Sequence, residues 1–94
     1  METANSYVWD EEKRKINLRE HKVDFAAVAH FEWDTAFVSI DDRDDYGELR
    51  ETAIGFIGPG LYVLVFTRRG KHIRVISLRR AEKRDVRKYV EATR

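Results

Sequence analysis

Ninety-four residues, 43% hydrophobic and 37% charged, describe a chain of one-domain size with a modest core and a heavily charged surface, and exclude a disordered polymer. The absence of cysteine removes disulfides and thiolate chemistry. The formal net charge of +1 conceals a split, because residues 1–60 hold 14 acidic and 7 basic side chains while residues 61–94 hold 3 and 11.

Such asymmetry is expected of a protein that meets a polyanion on one side, and equally of two halves that neutralise each other on folding. No apolar run approaches the roughly 20 residues that span a bilayer. The opening "METANSYVWDEEK" has neither the basic start nor the apolar stretch of a signal peptide. A single domain over residues 1–94, cytoplasmic and without membrane contact, is the expectation.

In chain order, "YVW" at 7–9 is aromatic and β-branched and reads as a strand. Asp10 fits a helix N-cap followed by Glu11 and Glu12 in the first turn, and this helix should run to about Glu20. Asp24 caps a second helix in which Val23 staples onto Val28, and Phe25, Val28 and Ala29 should face the core. From Thr35 the period changes: "TAFVSI" is a strand, "DDRDDYG" an acidic loop and "ELRETAIGFI" the next strand. "GPG" at 58–60 is a turn, "LYVLVFT" an apolar central strand, "RRGK" a turn and "HIRVISL" a returning strand. Val86, Tyr89 and Val90 form the apolar stripe of a last helix. The order β-α-α-β-β-β-β-α predicts an α+β domain, an antiparallel sheet with helices packed on one face and the other left for function.

The basic stretch "FTRRGKHIRVISLRR" carries six Lys or Arg and no acid. Period 2 groups Ile73, Val75, Ser77 and Arg79 on one side of its strand and Arg74, Ile76 and Leu78 on the other. Arg68 and Arg50 lie at the ends of the preceding strands, and converging guanidinium groups suit a phosphate. A solvated edge paired with the acidic loop fits the composition as well. On the first helix Lys13, Asn17, Glu20 and His21 share one side, so His21 is either an acid or base near neutral pH or a helix-closing cation. His21, His30 and His72 form no HxH or HExxH motif, which predicts no metal site and no cofactor.

The stretch "VWDEEKRKINLREHKVDF", then "DDYGELRETAIG" and "LVFTRRGKHIRVISLRRAEKRDVRKY", resembles the BrnT family of bacterial type II toxins over nearly the whole chain. The resemblance implies a RelE-like fold and a metal-independent endoribonuclease that inhibits translation and growth. It also implies a BrnA-type ribbon-helix-helix antitoxin as partner, with DNA contacted only through the antitoxin and room for a toxin dimer within the complex. RNA is the implied substrate, its own 2′-hydroxyl attacking the adjacent phosphate. Carried onto this chain, the family's motifs fall on Glu48 and Arg50, on Arg68 or Arg69, and on Ser77 and Arg79. Trp9, Asp10, Lys13, Asn17 and His21 match the N-terminal motif.

The expected catalytic set is therefore His21, Glu48, Arg50, Arg68, Ser77 and Arg79, with Lys13, Arg69, Lys71, Arg74 and Arg80 as RNA-binding cations. The chain departs from the family's Lys-His-Gly at Glu20-His21-Lys22. That departure also motivates an alternative, a catalytically weak toxin fold that serves as the antitoxin's corepressor.

Overall fold

The computed structural model describes residues 6–41 and 48–94, so most of the expected acidic loop lies outside the described residues. Strand β1 (Ser6–Val8) leads into helix α1 (Glu11–His21) and two 3-10 helices, Phe25–His30 and Trp33–Thr35. Strands β2 (Phe37–Asp41), β3 (Arg50–Ile57), β4 (Gly60–Arg69) and β5 (His72–Arg80) follow, and helix α2 (Lys83–Thr93) closes the chain. The α+β class stands.

Local chemistry explains the boundaries. The Asp10 carboxylate accepts from Glu12 N–H at 2.8 Å, satisfying one of the free donors of the first turn. At the other end Lys22 takes the left-handed conformation, φ 62°, and its N–H closes onto the Leu18 carbonyl. Asp24 caps the next element through Ala26 N–H at 2.9 Å. That element is a 3-10 helix rather than the expected α-helix. Three residues per turn align Phe25, Val28 and Phe31, all buried, whereas Ala29 is exposed. The sequence placed Ala29 inward only because a 3.6-residue period was assumed.

The sheet order is β1-β5-β4-β3-β2. Strands β2 to β5 are antiparallel neighbours, but Ser6–Val8 runs parallel to His72–Arg74, so the sheet is mixed. No hairpin ties β1 to β5, and nothing in the connection forces antiparallel pairing. Two-residue hairpins link the later strands, with Gly58 (φ 58°) and Gly70 (φ 60°) supplying the positive φ that these turns require.

One sheet face carries the core: Ala53, Leu64, Phe66, Ile73, Val75 and Leu78 pack beneath Phe25, Val28 and Phe31. Gly55 is a close-approach site on this face, since a Cβ there would stand 2.7 Å from the Phe31 ring. The grouping of Leu78 with Ile73 and Val75 breaks strict alternation. Val65 pairs with Ser77 but Phe66 pairs with Val75, which leaves Ile76 as the extra residue of a β-bulge. The bulge therefore returns Arg74 to the same face as Ser77 and Arg79, reversing the expected grouping.

The second face is covered in part by α2, so the helices do not all lie on one side. Tyr89 packs edge-on against Phe56 at 5.8 Å, and its hydroxyl donates to the Thr35 carbonyl at 2.9 Å. Ile54, Val63 and Val65 are apolar on that face and need such cover. The expected α2 stripe is correspondingly thin: Val86 and Val90 remain 42% and 49% exposed.

Candidate active site

A cleft of about 520 Å³ opens on this second face between the end of α1, the middle of the sheet and α2. Its floor is Ile54, Val63 and Val65; around them stand the hydroxyls of Ser39, Thr52 and Ser77. Cations come from three elements, Arg79 on β5, Arg84 and Lys88 on α2, and His21 at the last turn of α1. Asp41 and Asp85 are its carboxylates, both buried.

Arg79 is held in place by Asp85. The carboxylate accepts from Arg79 Nη1 at 2.8 Å and Nη2 at 3.4 Å, and from Glu82 N–H at 2.8 Å. Asp85 is thus the third residue of α2 and a helix-capping group as well as an ion-pair partner. Burial opposes its ionisation, but the hydrogen bonds from Arg79 and from Glu82 N–H outweigh that and hold the carboxyl below its usual range. Arg79 Nη1 also donates to the Arg80 carbonyl at 3.2 Å. None of these bonds uses its Nε, so one edge of the guanidinium is left for a ligand.

Asn17 lies behind the site rather than in it. Its Nδ2 donates to the carbonyls of Val23 (2.9 Å) and Leu78 (2.7 Å), and its Oδ1 accepts from Leu78 N–H at 3.2 Å. This polar residue is the one buried side chain of the helix. It ties α1 to β5 and so fixes where His21 emerges.

The expected site residues fall into two groups. His21, Ser77 and Arg79 share the cleft. Arg50 lies on the same face by alternation with Thr52 and Ile54, directly opposite Asp41 in register. Glu48 and Arg69 are at the far end of this face, joined by a 3.2 Å ion pair.

Arg68 and Arg80 point to the core side instead. Arg68 pairs with Glu51 at 2.6 Å and lies 5.3 Å from the Phe66 ring centre; Glu51 raises the proton affinity of its guanidinium further. Arg80 lies over Tyr62, also at 5.3 Å. Lys13 is exposed on α1 and Lys71 sits in the β4–β5 turn, neither in the cleft. Among the described residues no three His, Asp or Glu side chains gather closely enough to hold a metal ion.

The sequence reading missed Asp41 and Asp85. The spacing of Glu82 and Asp85 carries a capping signal, but nothing in the sequence pairs Asp85 with Arg79 across the strand-to-helix corner.

Comparison with known proteins identifies the family and the fold. A family model described as "Ribonuclease toxin, BrnT, of type II toxin-antitoxin system" matches residues 9–85, the stretch from the first strand's end to Asp85. Among solved structures, the ribonuclease toxin BrnT of Brucella abortus, a crystal structure at 1.1 Å resolution, superposes with a TM-score of 0.67. It is 30% identical, and the match covers 84% of this chain and 99% of that one. No curated protein matches the sequence. The chain belongs to the BrnT family of ribonuclease toxins of type II toxin–antitoxin systems.

Proposed function

We propose that this toxin is a metal-independent endoribonuclease whose scissile phosphate sits in the cleft against Arg79. The observation that carries the reading is the Arg79–Asp85 pair, which fixes a guanidinium beside Ser77 on the floor of a basic cleft. A positioned cation beside the phosphate stabilises the charge that builds as the RNA 2′-hydroxyl attacks. The attacking oxygen bonds to phosphorus while the leaving 5′-oxygen departs, so one proton is removed and one supplied. His21 at the cleft rim is the imidazole placed to move a proton. Arg50 and Ser77 add donors to the non-bridging oxygens. Arg68, tied to Glu51 on the other face, has a structural role in this reading.

Within the cell, cleavage would halt translation until a BrnA-type ribbon-helix-helix antitoxin covers the cleft. The test is growth and RNA cleavage after induction without antitoxin. Wild type should arrest growth and cleave RNA in the presence of EDTA, and Arg79→Ala should do neither. Equal arrest by both removes Arg79 from the site, and cleavage abolished by EDTA removes the metal-independent mechanism.

One observation favours the corepressor reading as well. Lys22 occupies a left-handed position with a side chain where the family has glycine, directly after His21. A harmless protein that still binds antitoxin would support that reading over the enzyme.

A further inference from the structure

The β-bulge at Ile76 places two arginines of one strand on the same face. Arg79 belongs to the cleft. Arg74 stands toward the β4–β5 turn, five residues earlier, between Ile73 and Val75, which are both buried in the core on the other side. At about 3.3 Å per residue the two positions are about 15 Å apart, too far to share one phosphate. Arg74 has no ion pair among the described residues. Its neighbours across the strands are Val8 on β1 and Thr67 on β4, and neither can neutralise it. The Thr67 hydroxyl, buried on this face beside Arg74, has no hydrogen-bond partner in the described structure. Two other arginines of the face differ from it in having carboxylate partners, Arg69 with Glu48 and Arg79 with Asp85.

A half-buried arginine without an ion-pair partner among the described residues, in line with a catalytic arginine, suits a polymer that carries a charge at every repeat. We propose that Arg74 is a second phosphate subsite, which binds single-stranded RNA at a phosphate more than one nucleotide from the scissile bond. The strand then runs along β5 from the cleft toward the β4–β5 hairpin. This inference rests on the ribonuclease reading and adds a footprint to it. Val8, 38% exposed beside Arg74, gives an apolar surface to an intervening sugar or base. A footprint of this length makes the enzyme select chain length, whatever bases it prefers.

The experiment uses 2′-O-methyl oligonucleotides, which lack the attacking hydroxyl, as binding probes of two and eight nucleotides, followed by fluorescence anisotropy at several salt concentrations. Cleavage of an all-ribose octanucleotide is measured alongside. For Arg74→Gln the expected result is about tenfold weaker octanucleotide binding and a salt slope smaller by about 0.7, one phosphate contact on a single strand. Dinucleotide binding should be unchanged, and cleavage should show a raised KM with kcat preserved. Arg74→Lys should recover the salt slope, which a loss through misfolding would not allow.

Unchanged octanucleotide affinity in Arg74→Gln overturns the subsite while leaving the ribonuclease reading intact. An equal loss on the dinucleotide also overturns it, by placing Arg74 at the scissile phosphate. A wild type that binds and cleaves neither RNA overturns the ribonuclease reading and the subsite with it.

Discussion

Replacing Asn17 by alanine tests how the first helix is attached to the sheet. Strand β1 pairs with β5 only as far as Arg74, and farther along that edge the Leu78 N–H and carbonyl point at α1 instead of at a strand. The Asn17 amide meets both of them, donor to acceptor and acceptor to donor, and its remaining N–H reaches Val23. It does the work of one further residue of edge strand. Truncation leaves a buried N–H and two carbonyls without this partner. Unsatisfied buried groups cost about 1–3 kcal/mol each, less where water enters, so a loss of about 3 kcal/mol is expected. For a domain of this size that corresponds to a fall in melting temperature of about 12–24 °C. Asn17→Asp keeps the acceptor for Leu78 N–H but turns a carboxylate toward two carbonyls, and should be at least as damaging. Thermal unfolding followed by circular dichroism measures both. An alanine variant that melts within about 2 °C of wild type, or an aspartate variant as stable as the parent, refutes the account.

Lys22→Gly relieves a left-handed residue; the gain of about 1–2 kcal/mol from the backbone is partly offset by glycine's freer unfolded chain, leaving a rise of about 0.5–1 kcal/mol in denaturant melts. Gly55→Ala drives a methyl group into the Phe31 ring and against Ala36, and should cost about 1–3 kcal/mol in the same assay. Asp85 titrates lower when folded than unfolded, so its contribution is complete above the ordinary aspartate value near pH 3.9 and lost as pH falls through the folded value. In Asp85→Asn the acid limb of melting temperature against pH should therefore be shallower than in wild type. Glu20 is exposed beside His21 at the cleft rim, and Glu20→Lys should speed RNA cleavage while shifting the melting temperature little, a result checked on one preparation.

The parts of the fold legible in the sequence were those set by local chemistry. Asp10 and Asp24 announced their helix starts, the glycines at 58 and 70 their hairpins, and the apolar run at 61–67 its central strand. Features that depend on distant partners were not legible. Nothing local distinguishes a 3-10 run from an α-helix at Phe25–His30, because Phe25 and Val28 fit both periods. The bulge at Ile76 is a register property of two strands, and one strand's alternation cannot reveal it. Its effect was large, since it moved Arg74 from the side opposite Arg79 to the same side. Asn17 misled in the other direction: a polar residue sharing a helix side with His21 looked like part of a binding surface. It is a buried backbone mimic, recognisable only once Leu78 is known to lie beside it. Arg68 and Arg69 show the same limit at a strand end, where one residue decides the face.

The parallel pairing of β1 with β5 also governs when the cleft can assemble. Ser6 meets His72 and Asn17 meets Leu78, so β1 and α1 find their partners only after β5 has been made. His21 and Arg79 likewise come to one cleft from opposite ends of the sequence. Contacts of such sequence separation form late and slow the folding reaction. A ribosome making this chain thus carries an unassembled cleft until β5 and α2 have emerged.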